Sequence, residues 1–148
     1  MVYIEQAMKF SLHYDEKTLA HAMRVAAYVA DSPFIAEENQ GFAIALAILH
    51  DLIEDTRVEL VNIKFEELRQ GLAYLTKRES ESYVDYCFRI KQGLTEGWIG
   101  QCAYVVKLAD MKDHLSLTET LTDKLKAKYL EGLAVLLWVE EKKLTQRT

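Results

Sequence analysis

Apolar residues recur along most of the chain at intervals of three and four, which places side chains on one face of an α-helix. This spacing predicts helices over about residues 2–13, 17–30, 65–75, 82–91 and 98–114, and after residue 123. Residues suited to capping precede several of them, namely Asp15, Ser80 or Ser82, and Thr122 or Asp123. No strand-like alternation of useful length occurs, so the pattern indicates a helical protein.

Residues 42–49 depart from this periodicity and form an unbroken run of eight hydrophobic residues. A helix that is apolar on all sides belongs in the interior of a protein. The run therefore predicts one continuous buried helix from about residue 38 to residue 54. Together with the amphipathic segments, it indicates an all-α fold in which seven to eight helices pack orthogonally, as a single domain over residues 1–148.

The end of the predicted buried helix carries four polar side chains, in the string His50-Asp51-x-x-Glu54-Asp55-Thr56. On a helix, His50 and Glu54 would share one face, and Asp51 and Asp55 a neighbouring one. Burying an imidazole beside a carboxylate is unfavourable unless both are satisfied, and a bound metal ion satisfies both. Unpaired carboxylates at a helix C-terminus also oppose the helix dipole. The string therefore predicts a catalytic metal site.

Two further ligands are predicted on other helices. His21 lies among the apolar positions of residues 19–29, and Asp110 follows the apolar run that begins at residue 104. A lone histidine in such surroundings is more often a hydrogen-bonded core residue, so His21 becomes a candidate only in combination with the other groups. Two imidazoles and two carboxylates suit Mn²⁺, Fe²⁺ or Zn²⁺, with positions left for water or phosphate oxygens.

Four local strings follow His21 along the chain. They are His50-Asp51-x-x-Glu54-Asp55-Thr56, Leu75-Thr76-Lys77-Arg78, Glu81-Ser82-Tyr83-x-Asp85-Tyr86-x-x-Arg89-Ile90 and Val106-Lys107-Leu108-Ala109-Asp110. In this order they resemble the signature of the HD-domain metal-dependent phosphohydrolases, over residues 8–137. The closer likeness is to the (p)ppGpp 3′-pyrophosphohydrolase domains of stringent-response enzymes and to their small single-domain relatives.

The resemblance implies an HD-domain fold around one divalent ion, with Mn²⁺ as the expected metal. The implied metal ligands are His21, His50, Asp51 and Asp110. The implied activity is phosphoester hydrolysis, in which the ion polarises a phosphoryl oxygen and makes a water molecule more acidic. Glu54 would orient or deprotonate that water, and Asp55 would support it or contact the substrate. From a guanosine 3′-diphosphate, the products would be 5′-phosphorylated guanosine and pyrophosphate.

Several cationic and aromatic residues are expected to contact the substrate. They are Lys107, Arg24, His114, Lys17 and Tyr129. Arg24 could instead brace the helix that carries His21. The chain departs from the family pattern in two places. The family's segment before the first ligand histidine, which helps to hold the base and ribose, contains a glycine and a proline, and residues 14–20 contain neither. His114 stands where the family commonly has an asparagine. These departures leave the identity of the nucleotide open.

Composition restricts the classes of function. The net charge of −5 argues against a general nucleic-acid binder, which needs a basic face. No apolar run reaches the ~18 residues of a membrane span, and the N-terminus lacks the core of a signal peptide. We therefore expect a cytoplasmic protein whose two cysteines, Cys87 and Cys102, are reduced and buried. A homo-oligomer formed through Trp98, Trp138 and the last helix remains open.

Three functions are compatible with these observations. The first is hydrolysis of (p)ppGpp, with a guanosine polyphosphate as the small-molecule partner. The second is hydrolysis of another nucleotide or nucleoside phosphate, and the third is a regulatory module that binds metal without turnover. His13 and Tyr14 are expected on the surface of the first helix, while Asp113 fits an exposed helix end or a substrate contact equally well.

Overall fold

The computed structural model describes residues 2–139 of the chain. Within that range there are eight α-helices and no β-strand. The helices are Val2–Ser11 (α1), Glu16–Ala30 (α2), Gln40–Leu49 (α3), Leu52–Asp55 (α4), Glu66–Leu75 (α5), Tyr83–Gln92 (α6), Trp98–Ser116 (α7) and Asp123–Leu136 (α8). Short 3₁₀ helices lie at Glu37–Asn39, Leu60–Asn62 and Gly93–Thr95. The predicted all-α class is confirmed.

Helix α3 lies in the centre of the fold, as its apolar sequence predicts. Every residue of the run 42–49 except Ile44 is buried. The helix packs against α1, α2, α5 and α7. Full burial of a Leu or Ile side chain contributes about 1.5–3 kcal/mol, so a helix with apolar residues on all sides is most stable where other helices surround it.

The prediction of one continuous helix over residues 38–54 is wrong, because α3 ends just before His50 and α4 is a separate helix. Two side chains occupy the carbonyl oxygens that the next helical turn would use. The Nδ1–H of His50 donates to the carbonyl of Ala47 at 2.6 Å. The Tyr14 hydroxyl donates to the carbonyl of Ile48 at 2.7 Å. In a continuous helix these oxygens would accept from the amides four residues further on.

The break changes the relation between the polar side chains that follow it. Glu54 and Asp55 lie in the four-residue helix α4, with Asp51 at its N-terminal boundary. His50 and Glu54 therefore do not share the face of one helix. The predicted dipole penalty on Glu54 and Asp55 depended on the long helix, and it does not apply to them here.

Tyr14 is buried, so its predicted place on the surface of the first helix is wrong. Helix α1 ends at Ser11, and the chain turns so that only 9 % of Tyr14 is exposed. Its ring joins the core while its hydroxyl bonds to α3. His13 is exposed, as expected.

Predicted capping residues are present at the N-termini of α2, α6 and α8. The side chains of Asp15, Ser82 and Thr122 each accept a hydrogen bond from the backbone N–H three residues later. Such a cap contributes typically about 1 kcal/mol. Before α7, Gly97 has φ of +131°, a conformation that strongly favours glycine.

Two expectations from composition can be compared with the structure. None of the helices described between residues 2 and 139 combines the length and the apolar character needed to cross a bilayer. Cys87 and Cys102 are buried and unpaired, as expected for structural thiols.

Candidate metal centre

Three separate parts of the fold bring the four predicted ligands together. His21 lies in α2, His50 and Asp51 form the turn between α3 and α4, and Asp110 lies in α7. One nitrogen or carboxylate oxygen from each residue lies within 4.8 Å of the other three. This group can hold a metal ion.

The distances between the donor atoms suit coordination of one cation. The Nε2 atoms of His21 and His50 are 3.2 Å apart, and Asp110 Oδ1 lies 2.9 Å and 3.2 Å from them. Asp51 Oδ2 lies 3.5 Å from Nε2 of His21 and 3.2 Å from that of His50. Metal–ligand bonds of about 2.0–2.2 Å place neighbouring ligand atoms roughly 3–3.5 Å apart.

Both imidazoles present Nε2 to the centre because Nδ1 is occupied elsewhere. Nδ1 of His50 faces the carbonyl of Ala47, which can only accept, so this nitrogen carries the hydrogen. Nδ1 of His21 lies 2.6 Å from a carboxylate oxygen of Asp113, and we assign it as the donor for the same reason. In metal sites, such a bond fixes the tautomer that leaves the other nitrogen free to coordinate.

Asp113 was predicted to be either an exposed helix end or a substrate contact, and the exposed position is wrong because the residue is buried against His21. It is 1 % exposed, and it binds the Nε and Nη2 groups of Arg24 at 2.7 Å and 3.0 Å while accepting from His21. Burial raises the pKa of Asp113, but the bonds from Arg24 and His21 outweigh that effect and lower it. Its position three residues after Asp110 in a long helix, hence on the same face, was the available indication. Arg24 thus holds Asp113, which in turn contacts His21, and its predicted contact with the substrate stays a prediction.

The ionisation of the four ligands is strongly coupled. Burial lowers the pKa of His21 and His50, but the neighbouring carboxylates outweigh it, so both pKa values are raised. Burial raises the pKa of Asp51 and Asp110, but the cations around them outweigh it, so both pKa values are lowered. The groups therefore favour a cluster in which positive charge lies between two carboxylates. A divalent cation meets that requirement and would displace the protons.

Lys107 is buried beside the ligands. Its Nζ donates to Oδ2 of Asp110 at 2.9 Å and lies 4.9 Å and 5.7 Å from the ring centroids of Tyr86 and Tyr83. Burial lowers its pKa, but Asp110 outweighs that effect and raises it. The side chain therefore balances the charge of a ligand, and its predicted contact with a substrate phosphate stays a prediction.

Glu54 and Asp55, the two predicted catalytic carboxylates, are both exposed. Asp55 lines the groove that reaches the ligands. Glu54 interacts electrostatically with Asp51 and Lys107. Burial, followed by the charge of Asp51, raises the pKa of both carboxyls. A raised pKa favours uptake of a proton, and the predicted role of either carboxylate as the base stays a prediction.

A surface groove of about 390 Å³ reaches the candidate metal centre, where His21 and Asp51 form part of its lining. Four of the five predicted substrate contacts line it, namely Lys17, Arg24, His114 and Tyr129. Leu117 and Leu125 add an apolar wall. A larger groove of about 610 Å³ lies between α6 and α8, but no ligand of the centre lines it. The smaller groove is thus the candidate substrate site.

His114 and Tyr129 form one wall of this groove. Their rings are stacked, with centroids 4.7 Å apart and planes inclined by 9°. Nε2 of His114 lies 3.2 Å from Oδ1 of Asp110, so the stacked pair also contacts the metal centre. A flat apolar surface next to a cation site is suited to an aromatic group that carries phosphate.

Comparison with known proteins adds no family to this description. No protein-family model matches the chain, and the search of curated proteins also finds no match.

Proposed function

We propose that this chain is a metal-dependent phosphohydrolase of the HD type that acts on a nucleotide. The observation that supports the proposal best is the convergence of His21, His50, Asp51 and Asp110, with both Nε2 atoms turned inward. A groove with cations, apolar side chains and stacked rings leads to these ligands. In a structural metal site the protein ligands close the coordination sphere, so no open groove needs to lead to the ion.

His21, His50, Asp51 and Asp110 would hold the ion, and Mn²⁺ is the metal that we propose. A bound divalent cation supplies Lewis-acid polarisation of a phosphoryl oxygen and makes water more acidic. Asp113 keeps the ring of His21 in place, and Lys107 balances the charge on Asp110. Glu54, with Asp55 in support, would orient the water and take its proton.

The substrate that we propose is (p)ppGpp, hydrolysed at its 3′ position. The water oxygen bonds to the phosphorus attached to O3′, the P–O3′ bond breaks, and O3′ takes a proton. The products are 5′-phosphorylated guanosine and pyrophosphate. The support for this substrate is the order of the four local strings and the groove that Lys17, Arg24, His114 and Tyr129 line.

One structural observation favours the second candidate, hydrolysis of another nucleotide. In the segment before His21, Tyr14 is buried against α3 and Asp15 caps α2. Both residues thus have structural roles, and Lys17 and Thr18 are the members of this segment that line the groove. Residues 14–20 of this chain are therefore less suited to binding the base than the corresponding segment of the family that the chain resembles.

A hydrolysis panel on Mn²⁺-loaded protein tests the proposal. Wild-type protein is incubated with ppGpp, pppGpp, nucleoside monophosphates and deoxynucleoside triphosphates, and products are separated by chromatography. Pyrophosphate from ppGpp or pppGpp supports the first candidate, whereas phosphate from a monophosphate supports the second. Asp51→Ala is the control and should lose metal and turnover together. Retention of metal with no product from any nucleotide would favour a regulatory module instead.

A further inference from the structure

Lys128, an exposed residue of α8, holds its ammonium group over two aromatic rings near the metal centre. Nζ lies 4.6 Å from the ring centroid of Tyr83 and 5.7 Å from that of Tyr129. Cation–π contacts at exposed sites contribute about 0.5–1 kcal/mol each, which is enough to restrict a flexible head group. The proposed reaction has so far given this side chain no role.

The face of α8 that carries Lys128 also packs against α6 and α7. Gly132, four residues later, lies on the same helix face. A Cβ at Gly132 would lie 2.6 Å from Cε of Met111 and 2.8 Å from Cε2 of Tyr83, so this face approaches α6 and α7 closely. Lys126 is also exposed, but two helical positions place it on the other side of α8.

Two short chains of contacts join Lys128 to the ligand Asp110. The first passes through the ring of Tyr83, which is also 5.7 Å from Nζ of Lys107, the residue that binds Asp110. The second passes through Tyr129, which stacks on His114, whose Nε2 lies 3.2 Å from Oδ1 of Asp110. Because Tyr129 lines the groove, the ammonium group of Lys128 lies against a residue of the groove wall, two residues removed from Asp110 along each chain of contacts.

The positive charge of Lys128 is not neutralised by the protein around it. Within residues 2–139, no carboxylate lies within salt-bridge distance of its Nζ. Lys107, by contrast, is paired with Asp110. A restrained ammonium group without a counter-ion, at the edge of a groove, favours an anion there. Phosphoryl oxygens form the charge-assisted hydrogen bonds that such a group requires.

We propose that Lys128 binds the second phosphoryl group of a substrate that carries a diphosphate at the reacting position. This inference rests on the proposed function and narrows it to substrates that release pyrophosphate rather than phosphate. The phosphoryl group at the metal ligands would be the one that bonds to water. The group linked to it would extend towards Lys128 and leave in the same pyrophosphate molecule.

The test measures binding of inorganic pyrophosphate and inorganic phosphate to Mn²⁺-loaded protein by calorimetry, after free metal has been removed. Wild type is compared with Lys128→Gln and with the matched control Lys126→Gln, which loses the same charge from the other side of α8. Loss of one charge-assisted hydrogen bond should weaken pyrophosphate binding to Lys128→Gln about tenfold. Phosphate binding should change less than about twofold, and Lys126→Gln should resemble wild type.

Equal weakening of both anions in Lys128→Gln would overturn the inference, because it would indicate general attraction of charge. Equal behaviour of the two variants would overturn it as well. Neither measurement depends on turnover, so the hydrolysis panel decides the proposed function separately. A wild-type protein that hydrolyses ppGpp while Lys128→Gln binds pyrophosphate normally would keep the function and remove this role for Lys128.

Discussion

The two imidazoles of the centre are oriented by groups that are not ligands. His50 depends on a backbone carbonyl of α3, the helix that it follows, whereas His21 depends on Asp113, 92 residues away in the chain. Asp113 is in turn held by Arg24. The affinity of the centre for metal should therefore be sensitive to a residue that does not touch the ion.

We expect Asp113→Asn to lower the affinity for Mn²⁺ by about 10–100-fold, because an amide is a weaker acceptor for His21 and leaves Arg24 without its counter-ion. Competition with a metal-binding dye measures the change. Asp31→Asn, at the exposed end of α2, is the matched control and should bind like wild type. An unchanged affinity in Asp113→Asn would contradict the orienting role.

Glu54→Gln should keep the metal and lower kcat by about 10²–10⁴-fold, the usual contribution of a general base. The reason is that glutamine retains the shape of the side chain but cannot take a proton. Metal content and steady-state rates are measured together, with Glu37→Gln, in the 3₁₀ helix that precedes α3, as the control. Loss of metal from Glu54→Gln would contradict the assignment of Glu54 as a base that does not bind the ion. A larger loss of rate in Asp55→Asn would transfer the role to the carboxylate that lines the groove.

At the level of helices, Glu81 and Arg89, which belong to one of the four local strings, form an ion pair that joins two helices. Arg89 of α6 donates from Nε and Nη2 to the two carboxylate oxygens of Glu81, at 2.7 Å and 2.9 Å. It also donates to the carbonyls of Ala73 and Thr76, each at 3.0 Å, at the end of α5. The pair therefore fastens α5 to α6 and satisfies carbonyls that the end of α5 leaves unpaired.

The Glu81–Arg89 pair should make stability depend on pH. The hydrogen bonds from Arg89 lower the pKa of Glu81 from its usual 4.5 to about 2. Because the folded pKa is the lower one, the contribution is complete above about pH 4.5 and is lost as the pH falls towards 2. We expect Glu81→Gln to reduce the free energy of unfolding by about 1–2 kcal/mol at pH 7, after allowance for solvent screening.

Urea unfolding of wild type and Glu81→Gln between pH 7 and pH 3.5 measures this contribution. The difference between the two proteins should decrease below pH 4.5. Glu79→Gln, exposed in the same loop, is the control and should follow the wild-type curve. A difference that stays constant with pH would show that the pair stabilises the fold by packing alone.

The break after α3 shows where helix prediction from sequence fails. The apolar run indicates the buried helix correctly, because burial on all sides depends on residue type alone. Its end depends on Tyr14, which reaches the carbonyl of Ile48 across 34 residues of chain. Such a long-range hydrogen bond is not visible in a local pattern.

For the chain as a whole, a bound ion would act as a cross-link between α2, the turn after α3, and α7. Any ligand that binds only the folded state stabilises it. At 100 times the dissociation constant, Mn²⁺ should add about 2.7 kcal/mol to the free energy of unfolding. That corresponds to a rise in Tm of roughly 5–11 °C for a domain of this size.

Thermal unfolding with chelator and with added Mn²⁺ checks this prediction, and Asp51→Ala should not respond to metal. The shift should also increase from pH 6 to pH 8. The reason is that the raised pKa values of His21 and His50 make protons compete with the ion at lower pH. A Tm that does not change on addition of metal at any pH would contradict a single cation site.

Association with a second copy of the chain stays a prediction. Trp138, Leu137 and Phe88 are each more than half exposed, and two of them line the larger groove between α6 and α8. Trp98 is less available because its ring packs on Phe42 at 4.8 Å. If a copy associates, we therefore expect α8 rather than Trp98 to carry the contact.

The sequence by itself determined the helical class, the buried position of α3 and the four residues that could hold a metal ion, because these depend on residue types and their spacing. Only the tertiary structure decided that α3 stops before His50, that Asp113 orients His21, and that Lys107 pairs with Asp110. Each of these depends on atoms brought together from distant positions or on the competition for one acceptor. Local periodicity carries no information about either.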